Sequence, residues 1–305
     1  MIEFNKHSKD YYNIHYSLSM ACNNRCSYCH VLDKLDNTKL FDRDMFEKVI
    51  KNINEFKQSN PDMKFNIFLK GGEPMLVVDH MIEFFERVKC DRTQLYFFSN
   101  FNFKPGGSKM TKLYEYSKVQ PFSIICSVHE SSNHDFVKKN IIMFKDIVEV
   151  HFLIDDKNVD FVYDYVNWLL ETVGVRPHHA YVLNDIRIKI GHEKKATTDY
   201  NNEKVQYILK HADSKDGAAM FGDKLYTSQE SFAMDFKNIS KKYWTICQPN
   251  HYDIGYDGSI KMLCGYPYRS HIDKGLEKKE VMCAGYTCVC GTDQYKKLMG
   301  ERTKK

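Results

Sequence analysis

The chain has 305 residues, 43% of them hydrophobic, enough to bury a sizeable core in one large domain with an appendage. Its formal charge of +4 is too mild to mark a dedicated nucleic-acid module, and no apolar run reaches the length of a membrane span. The first residues lack the basic-then-apolar pattern of a secretory signal, so the expectation is a cytoplasmic protein.

Residues 13–20 (NIHYSLSM) predict a strand. Residues 41–56 predict a helix, with Phe46, Val49, Ile50, Ile53 and Phe56 at helical spacing and Asp42 and Asp44 favouring its first turn. A strand over 64–70 stops at Gly71-Gly72, and a helix over 77–88 follows. Strands over 94–99 and 120–128 flank a weaker helix over 110–118. A helix over 134–147, a strand over 148–154 and a helix closed by Gly174 lead to a sixth strand over 180–190. This alternation predicts an α/β fold, a partial (β/α)6 barrel of parallel strands with a small C-terminal cysteine-rich extension. The expected divisions are a barrel over 1–195, a connecting and substrate-lining region over 196–243, and the cysteine-rich domain over 244–305. In such barrels the chemistry sits at the C-terminal ends of the strands.

Ten cysteines in a reducing compartment point to metal or redox work. Cys90 and Cys126 stand apart and read as buried small apolar residues. Cys22, Cys26 and Cys29 follow the first strand, where a closed zinc site with His30 as fourth ligand explains the spacing almost as well as an iron–sulfur loop. The pattern C-x3-C-x-Tyr-C, with Gly71-Gly72-Glu73-Pro74 ending the second strand, resembles the radical S-adenosylmethionine (radical SAM) superfamily. The resemblance implies that the three cysteines hold a 4Fe-4S cluster whose fourth iron is open to SAM. It also implies SAM contacts at Tyr28, Gly71, Gly72, Glu73 and Pro74, with the glycines allowing close backbone approach and Glu73 lying near the SAM ammonium. Ser99 and Asn100, then Ser127, His129 and Glu130, end the third and fourth strands where the family contacts its cofactor, and Arg187 falls on the sixth. The implied reaction is reductive cleavage of SAM to a 5′-deoxyadenosyl radical that abstracts hydrogen from a substrate carbon, with an electron donor such as flavodoxin or ferredoxin.

Near the C-terminus, Cys247 and Cys264 flank an Asp257-Gly258 hairpin signal, and Cys283, Cys288 and Cys290 follow. This segment resembles SPASM and twitch auxiliary-cluster domains, which implies a second 4Fe-4S cluster on Cys247, Cys264, Cys288 and Cys290. Cys283 is then an alternative ligand or a free, catalytic thiol; the residues alone also permit a zinc ribbon. The ending C-x4-C-x-C-G-T-D resembles short phage-encoded radical SAM proteins, which implies a nucleobase in hypermodified DNA as substrate. Peptide or protein side-chain modification is the alternative, with less room for it because Cys22 comes so early. A non-enzymatic zinc-binding interaction protein is the third reading.

Overall fold

A computed structural model describes residues 3–4, 10–26, 29, 32–155, 157–182, 202–212, 219–221, 224–226, 243–248, 250–262, 269–277, 281–282 and 295–301. In chain order the strands are β1 (Glu3–Phe4), β2 (Tyr11–Ser19), β3 (Lys64–Gly71), β4 (Thr93–Ser99), β5 (Ser123–Val128), β6 (Val148–Ile154), β7 (His179–Val182), β8 (Ala219–Phe221), β9 (Lys224–Tyr226), β10 (Tyr243–Gln248), β11 (His251–Ile254), β12 (Ser259–Met262), β13 (Arg269–His271), β14 (Val281–Met282) and β15 (Tyr295–Glu301). The helices are α1 (Arg43–Ser59), α2 (Val78–Val88), α3 (Ser108–Ser117), α4 (His134–Met143), α5 (Val159–Trp168) and α6 (Glu203–His211).

Strands β2 to β7 pair in sequence order, each parallel to the next, with α1 to α5 as the crossovers. This is the six-stranded α/β partial barrel that the sequence predicts. Burial alternates along β2 and β6 because one face packs on helices: in β2, Tyr12, Ile14, Tyr16 and Leu18 are buried, whereas Tyr11, Asn13, His15 and Ser17 are only half-buried; β5 departs from this by burying Ile124, Ile125 and Cys126 in a row. On the helix side, Tyr12 meets Phe56 of α1 edge-on at 4.9 Å, and Phe97 of β4 lies 6.4 Å from Phe85 of α2. Asp42 caps α1 by accepting the Met45 N–H at 3.0 Å, and the wide last turn after α5 ends at Gly174 with φ 73°.

On its other edge β2 takes β11 in parallel, His251 opposite Asn13 and Ile254 opposite Tyr16, and β12 and β13 continue the sheet antiparallel. The Asp257-Gly258 turn joins β11 to β12, with φ 77° at Gly258. The hairpin thus extends the barrel sheet, while β10, which carries Cys247, belongs to a second sheet in the order β1-β15-β10-β14. Cys126 is fully buried, as expected. Cys90 is not: it is exposed in the turn before β4, its thiol 3.0 Å from Thr93 Oγ1, because it falls past Val88, where the buried face of α2 ends. No helix among the described residues is long and apolar enough to cross a membrane.

Candidate functional site

The C-terminal end of β2 passes directly into the cysteine loop, and the end of β3 is strapped against it. Gly72 N–H donates to Ser19 O at 2.7 Å and Glu73 N–H to Ala21 O at 2.8 Å. A Cβ on Gly71 would lie 2.1 Å from Ser19 O, and one on Gly72 would lie 2.1 Å from Ala21 O. Gly71 also has φ 126°, so both positions require glycine. The close approach is to the chain's own strand end, one residue before Cys22.

Glu73 is 1% exposed. Its Oε1 accepts the Met75 N–H at 3.0 Å and its Oε2 the Asn100 N–H at 2.8 Å, and Ser99 adds a side-chain hydrogen bond. It caps the short turn Pro74–Val77 and ties the ends of β3 and β4 together. Burial raises its carboxyl from 4.5 to about 7, against these hydrogen bonds, which favour the ion.

The three loop cysteines are neither fully buried nor fully exposed and lie close enough to perturb one another. Burial raises the Cys22 thiol, with Glu73 and Cys29 adding to the effect, and pushes Cys26 up to about 11. The Cys22 sulfur faces the Asn24 N–H at 3.4 Å and Asn100 Nδ2 at 3.9 Å, and Cys26 Sγ lies 3.9 Å from Ser131 Oγ.

An asparagine ladder clamps this loop. Asn100 Nδ2 donates to Asn23 Oδ1 and Asn102 Nδ2 to Asn24 Oδ1, both at 2.8 Å; Asn23 Nδ2 returns a bond to Asn102 O at 2.9 Å. Asn24 Nδ2 continues to Ser132 Oγ at 2.8 Å, and Asn102 Oδ1 accepts the Asn133 N–H at 3.1 Å. Between the two rungs Phe101 has φ 52°, a left-handed backbone held by Ser99 Oγ on its N–H and by Asn140 Nδ2 on its carbonyl, each at 3.0 Å.

Of the sequence candidates, Cys22, Cys26, Cys29, Gly71, Gly72, Glu73, Pro74, Ser99 and Asn100 converge on the ends of β2, β3 and β4. Ser127 lies on the inner face of β5, opposite His151 of β6, while His129 and the exposed Glu130 follow that strand. Burial lowers His129 to about 4, so its ring is neutral. It is Ser131 and Ser132, just beyond, that reach the cysteine loop. Tyr28, His30, Arg187, Cys264, Cys283, Cys288 and Cys290 lie outside the described residues. Cys247 is described by its backbone alone, paired with Val281 of β14 and Lys296 of β15.

Sequence reasoning missed Asn23, Asn24 and Asn102, and also the residues on the face of the sheet turned from the helices. There His15 stacks on His251 at 4.2 Å and on Phe68 at 4.3 Å, and Phe68 stacks on Tyr96 at 4.6 Å. Lys70 Nζ pairs with Asp253 Oδ2 at 2.7 Å beside this ladder. Burial lowers His15 well below its usual range and His251 to about 4, so both rings are neutral. The signal was present in the period-2 alternation, which already puts His15 and Phe68 on the face opposite Tyr16 and Leu69.

Residues 15–135 match the family described as a 4Fe-4S single cluster domain, a span that holds the three loop cysteines, the glycine strap and the asparagine ladder. No curated protein matches the sequence. Among solved structures, the chain is similar to a histidine-tagged form of anSMEcpe with bound AdoMet at 14% identity and a TM-score of 0.54, over 87% of this chain and 75% of that one. Native anSMEcpe with bound AdoMet aligns at 14% identity and a TM-score of 0.52, over 85% and 77%. The likeness is one of fold, the six-stranded partial barrel with its crossover helices.

Two expectations follow from this geometry. Asn102→Ala removes the side chain that links Asn24 to Asn133, so iron bound per chain after anaerobic reconstitution should fall while the far-UV spectrum and melting remain near wild type; unchanged iron would show the ladder to be idle. A carboxyl raised on folding contributes stability that is present below its unfolded pKa and lost as pH rises through its folded one. The stability of the cluster-free chain relative to Glu73→Gln should therefore decline between 4.5 and about 7, by up to about 1.4 kcal/mol per pH unit, in denaturant titrations. A flat difference across that window would contradict the burial of the charge.

Proposed function

We propose that this chain is a radical SAM enzyme, which cleaves SAM reductively and abstracts hydrogen from a polar substrate held inside the partial barrel. The observation that carries the reading is the clamped loop: three mutually perturbing thiols at the C-terminal end of β2, held by the Gly72 and Glu73 N–H groups and by Asn100 and Asn102. The donors suit an iron–sulfur cluster with one iron left for an outside ligand. Thiolates are the ligands such clusters take, and among the described residues the other cysteines with side chains in view sit elsewhere, Cys126 in the core and Cys90 before β4.

Cys22, Cys26 and Cys29 would hold the cluster, whose chemistry, when it is bound and reduced, would be to supply the electron for cleavage of SAM to methionine and a 5′-deoxyadenosyl radical. The chain's own residues then have three tasks. The Asn24 N–H and Asn100 Nδ2 stand beside the Cys22 sulfur, where hydrogen-bond donors favour the thiolate and adjust cluster potential. The packed face of the sheet keeps water from one side of the reaction space. The inner face, with Lys70, Asp253, His15 and His251, offers polar groups and ring edges to orient the substrate.

The inner rings of the ladder already face one another, so they offer edges rather than a platform, and a nucleobase substrate draws no support from them. Recognition by hydrogen bonds fits a polar small molecule or a peptide side chain better. A small electron carrier of the flavodoxin or ferredoxin class is the partner this chemistry needs. We assign the C-terminal cysteines to an auxiliary 4Fe-4S cluster. Support comes from the fold likeness, which spans 87% of the chain, and from the pairing of Val281 and Met282, just before Cys283, with Cys247 and Ile246.

Reduced, reconstituted wild type should yield 5′-deoxyadenosine and methionine from SAM, and a folded Cys26→Ala variant neither. Iron should fall from about eight to about four per chain when Cys22, Cys26 and Cys29 are all replaced. SAM turnover surviving Cys26→Ala would remove the reading; four irons falling to none would remove the auxiliary cluster alone.

A further inference from the structure

The inner face carries a second donor group, made of imidazoles on β6 and at the start of β7. His151 stands on β6 and pairs across the ladder with His179 of β7; His178 precedes it, its N–H donating to Val150 O at 2.8 Å. One ring nitrogen from each of the three histidines lies within 4.8 Å of the other two. His179 stands steeply to both partners, at 71° to His151 and 90° to His178, with 4.6 Å between centroids in each case. Glu149, two residues before His151 on the same face, brings Oε2 to 3.5 Å from His178 Nε2 and 3.8 Å from His151 Nε2.

A pH-dependent ion pair would account for one histidine beside one carboxylate. It does not account for three, because three imidazolium rings at this spacing repel and three neutral rings gain little from convergence. Neutral imidazoles converging on one point, with a carboxylate alongside, are what a borderline-soft divalent cation selects.

We propose that His151, His178 and His179 bind a divalent transition-metal ion of the zinc class, with Glu149 offsetting part of its charge and one coordination position open to the inside of the barrel. Zinc–nitrogen bonds of about 2.0–2.1 Å put tetrahedral donors about 3.4 Å apart, so the rings close on the ion by rotations moving each nitrogen about 1 Å. Three protein ligands with a fourth position free is the pattern of zinc sites that bind an exchangeable ligand, here an oxygen donor such as water or a carboxylate or hydroxyl of a molecule in the barrel. His178 and Glu149 keep 39% and 29% of their side-chain surface exposed, which leaves the approach open. The site is independent of the radical SAM reading: its donors are imidazoles, on the strands farthest from β2 in the parallel order.

The test is calorimetric titration of Zn2+ into the full chain with its cluster-ligating thiols occupied by reconstituted clusters and the exposed Cys90 replaced by serine. Wild type should bind one Zn2+ per chain, as should His80→Gln, at a partly exposed histidine of α2 outside the group. Glu149→Gln should weaken binding by about 10–100-fold. His151→Gln combined with His179→Gln should abolish binding. His178→Gln, at the most exposed of the three, should weaken it at least about tenfold with melting near wild type, so a folding defect in the double variant does not decide the matter. Bound Co2+ should show tetrahedral visible bands without thiolate charge transfer, which separates this site from free cysteines whether or not the clusters load. Wild type that takes up no Zn2+, binding that survives both His178→Gln and the double variant, or cobalt spectra dominated by thiolate would overturn the assignment.

Discussion

Two backbone carbonyls, of Ser19 and Ala21, set the geometry of the site. They accept the N–H groups of Gly72 and Glu73 so closely that a methyl group on either glycine of the strap would meet a carbonyl oxygen. Through that contact the end of β3 fixes the direction in which β2 leaves the sheet. Cys22 is the next residue after Ala21, so the first thiol is positioned by backbone on both sides. Side-chain packing adjusts to a substitution; a backbone approach of this kind does not, because the clashing atoms are themselves held in the ladder.

The rest of the site is built against local stability. Glu73 is a buried carboxyl, held by two N–H donors and Ser99, and Phe101 holds a left-handed backbone worth about 1–3 kcal/mol of strain in a residue with a full side chain. Both persist because the surrounding bonds over-determine them: Ser99 serves Glu73 and Phe101 together, and Asn140 of α4 holds the carbonyls of Phe101 and Phe103. The asparagines on either side of Phe101 are thereby aimed at Asn23 and Asn24. Amide side chains suit the task, since each supplies both a donor and an acceptor and neither adds charge next to three thiols.

How much of this was legible follows from the range over which each signal acts. The parallel strands were readable because alternation and helical spacing are local, and the cysteine loop and glycine strap because their residues are rare and closely spaced. The ladder was not, because Asn24 and Asn102 lie 78 residues apart and loop asparagines carry no period. The hairpin at Asp257-Gly258 was visible, but its choice of β2 as a parallel neighbour depends on a partner far back in the chain. Cys90 was misread because a lone cysteine is assigned to the core by habit of type, whereas its exposure follows from its place beyond the end of α2. His178 and His179 show the same limit: their adjacency is plain in the sequence, but only the β6–β7 register brings His151 to them.

The central claim is that three thiols so held leave an iron for SAM to bind. Its most direct test is electron–nuclear double resonance on the reduced, cluster-loaded chain with SAM isotopically labelled at its amino nitrogen and carboxylate oxygen. The account predicts hyperfine coupling from both labels, showing that SAM chelates a cluster iron. A cluster spectrum unchanged by SAM, with no coupling from either label, would mean that the loop holds a closed metal site.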